Sequence, residues 1–471
     1  MQRTKMIFTI GPASDNEEIL RKFIQIGMSV ARLNFSHGTH ETDSEQIRMI
    51  RLASQKTGKY IGIMLDTKGP EIRLGVFENG KEILEDGAKF VLTTEEVLGT
   101  VKKATITYKE LKNDVKAGST ILINDGLIEL VVDEITDTDI ICTVVHGGTV
   151  SNRKGINVPG VELSMPYLSE VDTKDILFAV ETGFDFIAAS FVRNAEDVKA
   201  IRDLLDSKGS HAKIIAKIEN RQGGDNLDEI LEIANGIMVA RGDMGVEIPF
   251  EEVPHIQKAM IKKANKAKKH VITATQMLES MITNPRPTRA EVTDVANAVY
   301  EGTTAIMLSG ETAAGKYPVE AVTTMSRIAR EAEKNMDYAS FLALRELDTT
   351  DDLSSAIAYA ACTTAIEINA AAIISVTISG STCKKVAGLK PPVPILGGSM
   401  HDDVCRKMSL MWGVQSMHVD KKETEEELFE EAVRVSKEAG YIKTGDRVVI
   451  VAGVPLGKVG STNMIRVVDV E

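Results

Sequence analysis

The stretch DFIAASFVRNAEDVKAIRDLLDSKGSHAKIIAKI, residues 185–218, contains a complete strand–helix–strand unit. Its two ends, residues 185–191 and 213–218, are short apolar runs, which predict buried strands. Between them, apolar side chains recur at the spacing of one helix face: Val198, Ile201, Leu204 and Leu205. Because strands that alternate with helices are typical of parallel sheets, the unit predicts an α/β fold.

The same unit repeats along the chain. Eight apolar runs predict strands, at residues 5–10, 28–34, 60–66, 185–191, 213–218, 236–240, 271–276 and 305–309. Stretches with helical periodicity separate most of them. The first helix is predicted to begin at a capping box formed by Ser14 and Glu17 and to end at Gly27. Eight such repeats predict a closed (β/α)8 TIM barrel.

Residues 70–168 have a different character. Short runs separated by turn residues predict antiparallel strands at 89–94, 104–108, 120–124, 128–135 and 140–146. We interpret them as a small all-β barrel domain inserted in a loop of the TIM barrel. The barrel itself is then formed by residues 1–69 and 169–340, close to the roughly 250 residues typical of this fold.

Residues 341–471 predict a third unit. A helix at 352–369 and an acidic helix at 423–439 alternate with predicted strands at 371–377, 393–396, 414–419, 448–452 and 465–470. This order predicts an open α/β domain at the C-terminal end.

Composition limits the class of protein. Hydrophobic residues make up 43% and charged residues 26% of the 471 residues, which is typical of a globular protein and excludes disordered and collagen-like classes. The net charge of −13 argues against nucleic-acid and anionic-membrane partners. There is no apolar run of the roughly 18 residues that a membrane span needs, no signal peptide is recognised, and the four cysteines form no CxxC pair. A cytoplasmic protein is therefore expected.

Polar residues follow six of the eight predicted barrel strands. They occur at residues 32–38, 66–73, 217–220, 241–243, 273–276 and 309–312. Because TIM-barrel active sites lie at the carboxyl ends of the strands, this asymmetry predicts a catalytic rim there.

The residue types at this rim suggest a chemistry. Glu219 and Asp243 are carboxylates on neighbouring strands, which suits a hard divalent ion such as Mg²⁺. Lys217 precedes Glu219 by two residues, so both side chains point to the same side of the strand, where an ammonium can stabilise a phosphoryl or enolate oxygen. Arg32 and Arg73 can each bind phosphate oxygens in a bidentate manner.

A second polar set suits a monovalent cation. Asn34, Ser36, Asp66 and Thr67 offer oxygens with only one formal charge among them. Each candidate also has a structural interpretation: Asn34 and Ser36 could cap the following helix, Thr275 could be a satisfied core hydroxyl, and either arginine could be an ion-pair partner. Two functional alternatives also remain, another metal-dependent barrel enzyme acting on an enolate, and a metabolite sensor without catalysis.

Six ordered blocks resemble the pyruvate kinase family, and the resemblance extends over the whole chain. They are VARLNFSHG (30–38), LDTKGPEIR (65–73), IIAKIEN (214–220), VARGDMGVEIP (239–249), TATQMLESMITNPRPTRAE (273–291) and MLSGETAAGKYP (307–318). The resemblance implies the three-part architecture predicted above. It also implies the last step of glycolysis, in which phosphoenolpyruvate phosphorylates ADP to give pyruvate and ATP.

The resemblance implies a role for each matching residue. The catalytic residues would be Lys217, Thr275 and Arg32, and the substrate would be held by Arg32, Gly242, Asp243 and Thr275. Mg²⁺ or Mn²⁺ would be bound by Glu219 and Asp243, and K⁺ by Asn34, Ser36, Asp66 and Thr67. The nucleotide would contact Asn34, Phe35, Ser36, His37, Arg73 and Lys154. With Glu71 at this position, the sequence resembles the potassium-dependent bacterial form of the family.

The resemblance also implies regulation and assembly. In the family, a loop equivalent to Thr377, Ser379, Gly380, Ser381 and Thr382 can hold the phosphate of an effector, a sugar phosphate or a nucleotide, and residues 453–463 resemble the second effector loop. Hydroxyls and backbone N–H groups before a helix also suit an anion on physical grounds, although an ordinary turn is the alternative. A homotetramer is implied. One departure is Gly224, where the family usually has an aliphatic residue.

Overall fold

The computed structural model describes residues 1–36, 38–346, 352–455, 460 and 462–471. The barrel begins with strands β1 (Lys5–Thr9), β2 (Met28–Asn34) and β3 (Gly62–Asp66) and helices α1 (Glu17–Ile26) and α2 (His40–Thr57). Helix α1 ends at Gly27, as predicted, but the Asn16 side chain caps it by accepting a hydrogen bond from the Ile19 amide. The predicted Ser14 capping box is therefore wrong, because Asn16 is an equally good cap and stands directly before the helix.

The inserted domain follows β3. Its elements are β4 (Ile72–Arg73), β5 (Lys81–Leu84), β6 (Lys89–Thr93), β7 (Lys103–Thr105), α3 (Leu111–Asp114), β8 (Thr120–Ile123), β9 (Ile128–Ile135), β10 (Asp139–His146), β11 (Gly148–Ser151) and β12 (Gly155–Asn157). Seven strands form a sheet in the order β4-β12-β8-β9-β10-β6-β7, and β5 pairs with β11. A bridge between Leu74 and Ile106 joins the two outer strands, so the sheet closes into a small barrel.

One pairing in this domain differs from the prediction. Strands β6 and β7 are parallel, with Val91 beside Lys103, whereas only antiparallel pairs were expected. The chain between them returns along the sheet before β7 begins, and short apolar runs carry no information about strand direction.

The barrel then resumes and is completed. Its further strands are β13 (Phe186–Ala189), β14 (Lys213–Ile218), β15 (Gly236–Ala240), β16 (His270–Ala274) and β17 (Ala305–Leu308). The helices are α4 (Glu170–Thr182), α5 (Ala195–Ser207), α6 (Arg221–Asp225), α7 (Leu227–Ile233), α8 (Arg241–Glu247), α9 (Val253–Lys266), α10 (Arg289–Tyr300), α11 (Gly310–Ala313) and α12 (Pro318–Lys334), with a 3₁₀ turn at Glu279–Ile282. The eight strands close in the order β1-β17-β16-β15-β14-β13-β3-β2, which confirms the predicted TIM barrel.

The last unit is an open α/β domain, as predicted. Its elements are α13 (Tyr338–Glu346), α14 (Leu353–Glu367), β18 (Ala372–Val376), α15 (Ser381–Gly388), β19 (Ile395–Ser399), α16 (Asp402–Met408), β20 (Val414–His418), α17 (Glu425–Glu438), β21 (Arg447–Gly453) and β22 (Thr462–Asp469). The sheet order is β20-β19-β18-β21-β22, and only the pairing of β21 with β22 is antiparallel.

This C-terminal unit closes the amino-terminal end of the barrel, which we call the barrel floor. Leu410 is fully buried among apolar side chains of the barrel interior, such as Ile7, Met64 and Ile272. The apolar filling leaves the opposite end, the rim, as the place where polar side chains can converge. No helix in the described ranges is long and apolar enough to cross a bilayer.

Candidate active site

A cavity of about 630 Å³ lies between the barrel rim and the inserted β-domain. Predicted site residues from several strands line it: Arg32, Asn34, Ser36, Asp66, Thr67, Arg73, Lys154, Lys217, Glu219 and Asp243. The fold therefore brings together, in one space, side chains that are up to about two hundred residues apart in sequence.

Asp66, at the end of β3, connects two cations. Its Oδ2 accepts a hydrogen bond from Arg32 Nε at 2.6 Å, and its Oδ1 accepts one from Lys217 Nζ at 3.0 Å. Burial opposes the ionisation of this carboxyl, but Arg32 and Lys217 together hold its pKa below the usual range. The ionised carboxylate therefore fixes both cations in place.

Lys217 Nζ is surrounded by oxygen atoms. It donates to Ser190 Oγ at 2.8 Å and lies 2.9 Å from Glu219 Oε1. Burial alone would lower the pKa of this ammonium, but Asp66 and Glu219 raise it above the ordinary value. Lys217 is thus a fixed positive charge and not a general base at neutral pH.

Glu219 has the features of a metal ligand. The side chain is fully buried and its Oε2 accepts a hydrogen bond from the Phe191 amide at 2.6 Å. Oε1 is close to Lys217 but has no well-directed hydrogen bond. Burial raises the pKa of Glu219 to about 8, with Lys217 opposing and the Asp243 charge adding to the shift. A buried carboxylate in this situation favours a bound cation.

The donor set fits Mg²⁺ or Mn²⁺. Glu219 and Asp243 line the same cavity. The described part of the chain contains no cluster of three or more histidine, cysteine or acidic side chains able to hold a metal. Two carboxylates such as Glu219 and Asp243 leave the remaining positions for water and substrate oxygens, which is how Mg²⁺ is commonly bound beside phosphates.

Thr275 and Gly242 meet beside Asp243. The Gly242 amide donates to Thr275 Oγ1 at 2.8 Å, and the Thr275 hydroxyl donates to the Ala274 carbonyl at 2.6 Å. Thr275 and Gln276 both have positive φ, at 66° and 52°, an uncommon conformation for two successive non-glycine residues. Neither Gly242 nor Thr275 forms part of the cavity wall in this conformation, and Asp243 connects them to it.

The predicted potassium ligands converge at the ends of β2 and β3. Asn34 and Asp66 are register partners on the two strands. Asn34 Oδ1 accepts from the Ser36 amide at 3.2 Å, and the Thr67 carbonyl accepts from Ser190 Oγ at 2.7 Å. Helix α2 is capped by Thr39, so the alternative role of Asn34 and Ser36 as helix caps does not apply.

The predicted nucleotide-binding residues lie in different environments. Arg73 Nε donates to Glu71 Oε2 at 2.7 Å, and Arg73 Nη1 donates to the Arg153 carbonyl at 3.0 Å. The Phe35 ring is buried against Phe178 and Phe184, so only its backbone is available to a ligand. His37 lies outside the described residues.

Two site residues were not anticipated, Ser190 and Thr9. Ser190 Oγ lies 3.1 Å from Asp66 Oδ1, and Thr9 Oγ1 accepts a hydrogen bond from Arg32 Nη1 at 2.8 Å. They stand at the ends of β13 and β1, the two strands whose ends had not been counted as polar. The sequence signal for them is position: Ser190 directly follows the apolar residues of β13, and Thr9 is the last residue of β1.

The candidate effector loop forms a compact turn that follows β18 and continues into the first two residues of α15. The Gly380 amide donates to Thr377 Oγ1 at 3.0 Å, and Gly380 adopts a φ of 83°. Ser379 Oγ and Ser381 Oγ are 3.3 Å apart, while the Thr382 hydroxyl is 2.7 Å from that of Thr462. Residues 456–459 and 461 of the second loop lie outside the described residues.

Comparison with known proteins gives one consistent result. The family model described as pyruvate kinase, barrel domain, matches residues 1–322, and the one described as pyruvate kinase, alpha/beta domain, matches residues 355–468. The pyruvate kinase of Clostridium acetobutylicum is 49% identical over all of both chains. That of Geobacillus stearothermophilus is 50% identical over 99% of this chain and 80% of its own length, and that of Clostridium perfringens is 49% identical over 99% of each. With the barrel, the inserted domain and this rim, these matches show that the chain belongs to the pyruvate kinase family.

Proposed function

We propose that this rim carries the reaction of the family, transfer of the phosphoryl group from phosphoenolpyruvate to ADP to give pyruvate and ATP. The observation that supports the assignment of the site is the buried Lys217 ammonium, 3.0 Å from Asp66 Oδ1 and 2.9 Å from Glu219 Oε1, at the wall of the large cavity. Phosphoryl transfer depends on positioning and charge neutralisation more than on covalent chemistry, and this arrangement supplies both.

Lys217 and Arg32 act on the transferring phosphoryl group. Both are held by Asp66, so they face the substrate in fixed positions without reorganisation during the reaction. Ser190 supports Lys217 from the neighbouring strand. Arg32 in addition binds the phosphate of the substrate in the ground state.

Glu219 and Asp243 are the residues that would hold Mg²⁺ or Mn²⁺. The family generally needs a divalent metal and K⁺. When bound, the divalent ion offsets negative charge on the phosphoryl and carboxylate oxygens. The oxygens of Asn34, Ser36, Asp66 and Thr67 would hold K⁺, which adds one positive charge near the phosphate.

Gly242, Asp243 and Thr275 bind the carboxylate end of the substrate. Gly242 and Asp243 lie in the first turn of α8, where backbone N–H groups favour an anion, although α8 is short. The Thr275 hydroxyl, placed by its positive-φ backbone, belongs to the network that delivers a proton to the enolate carbon. Different residues therefore act on the phosphoryl group of the substrate and on the carbon that is protonated.

The nucleotide occupies the part of the cavity nearest the inserted domain. Arg73 and Lys154 contact its phosphates, together with Asn34, Ser36, His37 and the backbone of Phe35. Because residues of the inserted domain line the cavity, that domain can act as a lid that excludes water and limits hydrolysis.

A coupled assay with phosphoenolpyruvate, ADP, Mg²⁺ and K⁺ tests the function. We expect ATP and pyruvate in equal amounts, and loss of turnover when ADP or Mg²⁺ is omitted. Pyruvate without ATP, or enolate chemistry that does not need ADP, would contradict the proposal, and binding of phosphorylated metabolites without turnover would indicate a sensor.

The potassium site has its own test. Because residue 71 is Glu, we expect the activity to require K⁺. Glu71→Lys should weaken that requirement, because the introduced ammonium supplies the positive charge that K⁺ otherwise provides. Rates of both proteins are compared in tetramethylammonium buffer with and without KCl. Full activity of the unmodified chain without K⁺ would contradict the assignment.

Regulation, assembly and location follow from family membership as further proposals. The loop from Thr377 to Thr382 binds the phosphate of a sugar-phosphate or nucleotide effector. The chain forms a homotetramer and works in the cytoplasm. Its barrel, inserted and C-terminal domains have the boundaries predicted from the sequence. The four cysteines are buried free thiols, which fits a reducing compartment. Light scattering after size-exclusion chromatography tests the assembly, and activity titrations with sugar phosphates and AMP test the effector.

A further inference from the structure

A cluster of basic side chains lies at the barrel floor, at the end opposite the active site. It surrounds a small cavity of about 30 Å³ between the start of β16 and helix α15. The wall includes Lys269, His270, Lys384 and Trp412. We call this cavity the floor cleft. Its wall shares no residue with the catalytic cavity or with the candidate effector loop, whose last two residues, Ser381 and Thr382, begin α15.

Two lysines of this cluster have no acidic partner among the described residues. In the part of the chain that the structure describes, Lys269 and Lys384 form no ion pair. Lys269 Nζ donates to the Ala234 carbonyl at 2.7 Å and to the Glu232 carbonyl at 3.4 Å, and an ammonium has a third N–H group to offer. Burial, with the charges of Lys384, Lys213 and Lys269, lowers the pKa of His270 to about 3, so the imidazole is neutral.

A buried donor of the same cleft has no partner among the described residues. Trp412 is 2% exposed, and no hydrogen-bond acceptor in the described ranges contacts its indole Nε1. Buried donors are nearly always satisfied, and an orphaned one indicates an unseen water, ion or ligand. Because indole N–H and ammonium groups can only donate, the missing group must be an acceptor, and the surrounding charge favours an anion.

We propose that the floor cleft binds a phosphate group, held by Lys269 and Lys384 with the Trp412 indole as an additional donor. Donors that come from the barrel and from α15 call for an anion with several oxygens, which a halide does not have. A cavity of about 30 Å³ has no room for an attached organic part, which would have to lie outside. The bound group would join the C-terminal unit to the barrel floor.

Trp412 makes the proposal testable because it is the single tryptophan of the chain. Its emission is recorded while the full-length protein is titrated with inorganic phosphate, at constant ionic strength set with KCl. We expect a saturable change, with an apparent Kd about tenfold higher in Lys384→Met, since the loss of a charge-assisted hydrogen bond is commonly of that size. Lys262→Met, which removes an equal charge from an exposed position of α9, should behave like the unmodified chain.

Two further measurements distinguish free phosphate from a phosphate monoester, and the floor cleft from the effector loop. Titration with glycerol 2-phosphate shows whether a phosphate monoester is accepted or only the free ion. A Ser379→Ala, Ser381→Ala double variant should keep the response, because those residues lie in the effector loop. Lys269→Met, with thermal unfolding in phosphate as a second readout, replaces Lys384→Met if that variant does not fold.

The outcomes decide the proposal. No saturable change of emission in the unmodified chain would overturn it. So would an unchanged response in both lysine variants, or loss of the response in the double serine variant, which would place the phosphate at the effector loop.

Discussion

Asp66 shows how one buried carboxylate can organise a catalytic site. It accepts from Arg32 on one oxygen and from Lys217 on the other, and Ser190 Oγ lies 3.1 Å from the second oxygen. An isolated ammonium would be costly to bury, but an ammonium paired with an ionised carboxylate stays charged. Lys217 can therefore be both buried and permanently positive, as a stabiliser of phosphoryl charge must be.

The first prediction concerns Lys217. Lys217→Met should lower kcat by about 10² to 10³, since the variant keeps the shape of the stem but loses one preorganised donor. Mn²⁺ binding, followed by electron paramagnetic resonance, should persist because the Glu219 and Asp243 carboxylates remain. A kcat within about twofold of the unmodified chain would refute the catalytic role of Lys217.

Part of this residue-scale picture could be predicted from sequence. Alternation along a strand places Lys217 and Glu219 on one side, and their ion pair agrees with that prediction. Ser190 and Thr9 could not be singled out, because a small hydroxyl residue at a strand end is as often a satisfied core group. Phe35 lies within a recognisable motif, yet its ring packs in the core, and a motif does not specify the direction of each side chain.

At the scale of elements, strands were easier to predict than their partners. Barrel strands are buried on both faces and so form continuous apolar runs, which is why all eight were found. The register that sets Asn34 beside Asp66 and the parallel pairing of β6 with β7 are tertiary features. They depend on contacts between distant segments, which local patterns do not encode.

The second prediction concerns the glycine pair of α6. A Cβ at Gly224 would meet Met260 Cε at 3.6 Å, an ordinary contact, whereas one at Gly223 would lie 2.4 Å from the Val192 carbonyl oxygen. Gly224→Ala should therefore raise the free energy of unfolding by about 0.5–1 kcal/mol, through reduced backbone entropy of the unfolded chain. Gly223→Ala should lower it.

Urea unfolding of both variants, with activity measured alongside, checks this difference. Because α6 follows Glu219 almost directly, the strain in Gly223→Ala should also weaken Mn²⁺ binding, while Gly224→Ala should leave it unchanged. Equal effects of the two substitutions would mean that the close approach to Val192 does not limit this helix.

The third prediction concerns contact between the inserted domain and the barrel. Asn157 Nδ2 of β12 donates to Glu247 Oε1 of α8 at 2.8 Å, and α8 also carries Asp243. Asn157→Ala should lower kcat/KM for ADP roughly fivefold, because about 1 kcal/mol of lid positioning is lost. Steady-state kinetics at saturating phosphoenolpyruvate measure the effect.

A matched control is available within the same domain. Asn113 donates to Glu110 at 2.6 Å on the exposed side of the inserted domain, so Asn113→Ala removes an equivalent bond that does not involve the barrel. Its kinetics should be unchanged. Equal losses in the two variants would indicate a general destabilisation of the domain and not a specific contact with α8.

At the scale of the whole molecule, the C-terminal unit and the barrel are joined by polar contacts. Asp185 at the barrel floor accepts from Arg51 at 3.0 Å and from Arg406 of α16 at 3.0 Å. Tyr60 donates to Asp402 at 2.7 Å. Because these contacts join charged or titratable side chains of the barrel and of the C-terminal unit, the stability of the junction should depend on pH.

Lys5 provides the last prediction, since its ammonium donates to the Val414 carbonyl across this junction. Burial lowers the pKa of Lys5 to about 8, with the nearby Glu333 opposing the shift. Between pH 8 and about 10.5 the folded chain then binds one proton fewer at this group than the unfolded chain, so its contribution to stability rises with pH. Urea unfolding of the unmodified chain and Lys5→Met at pH 7.5, 9 and 10.5 should show the difference between them change by about 3 kcal/mol in favour of the unmodified chain. The exposed control Lys262→Met should show no such change, and parallel pH profiles for Lys5→Met and the unmodified chain would mean that Lys5 titrates normally in the folded protein.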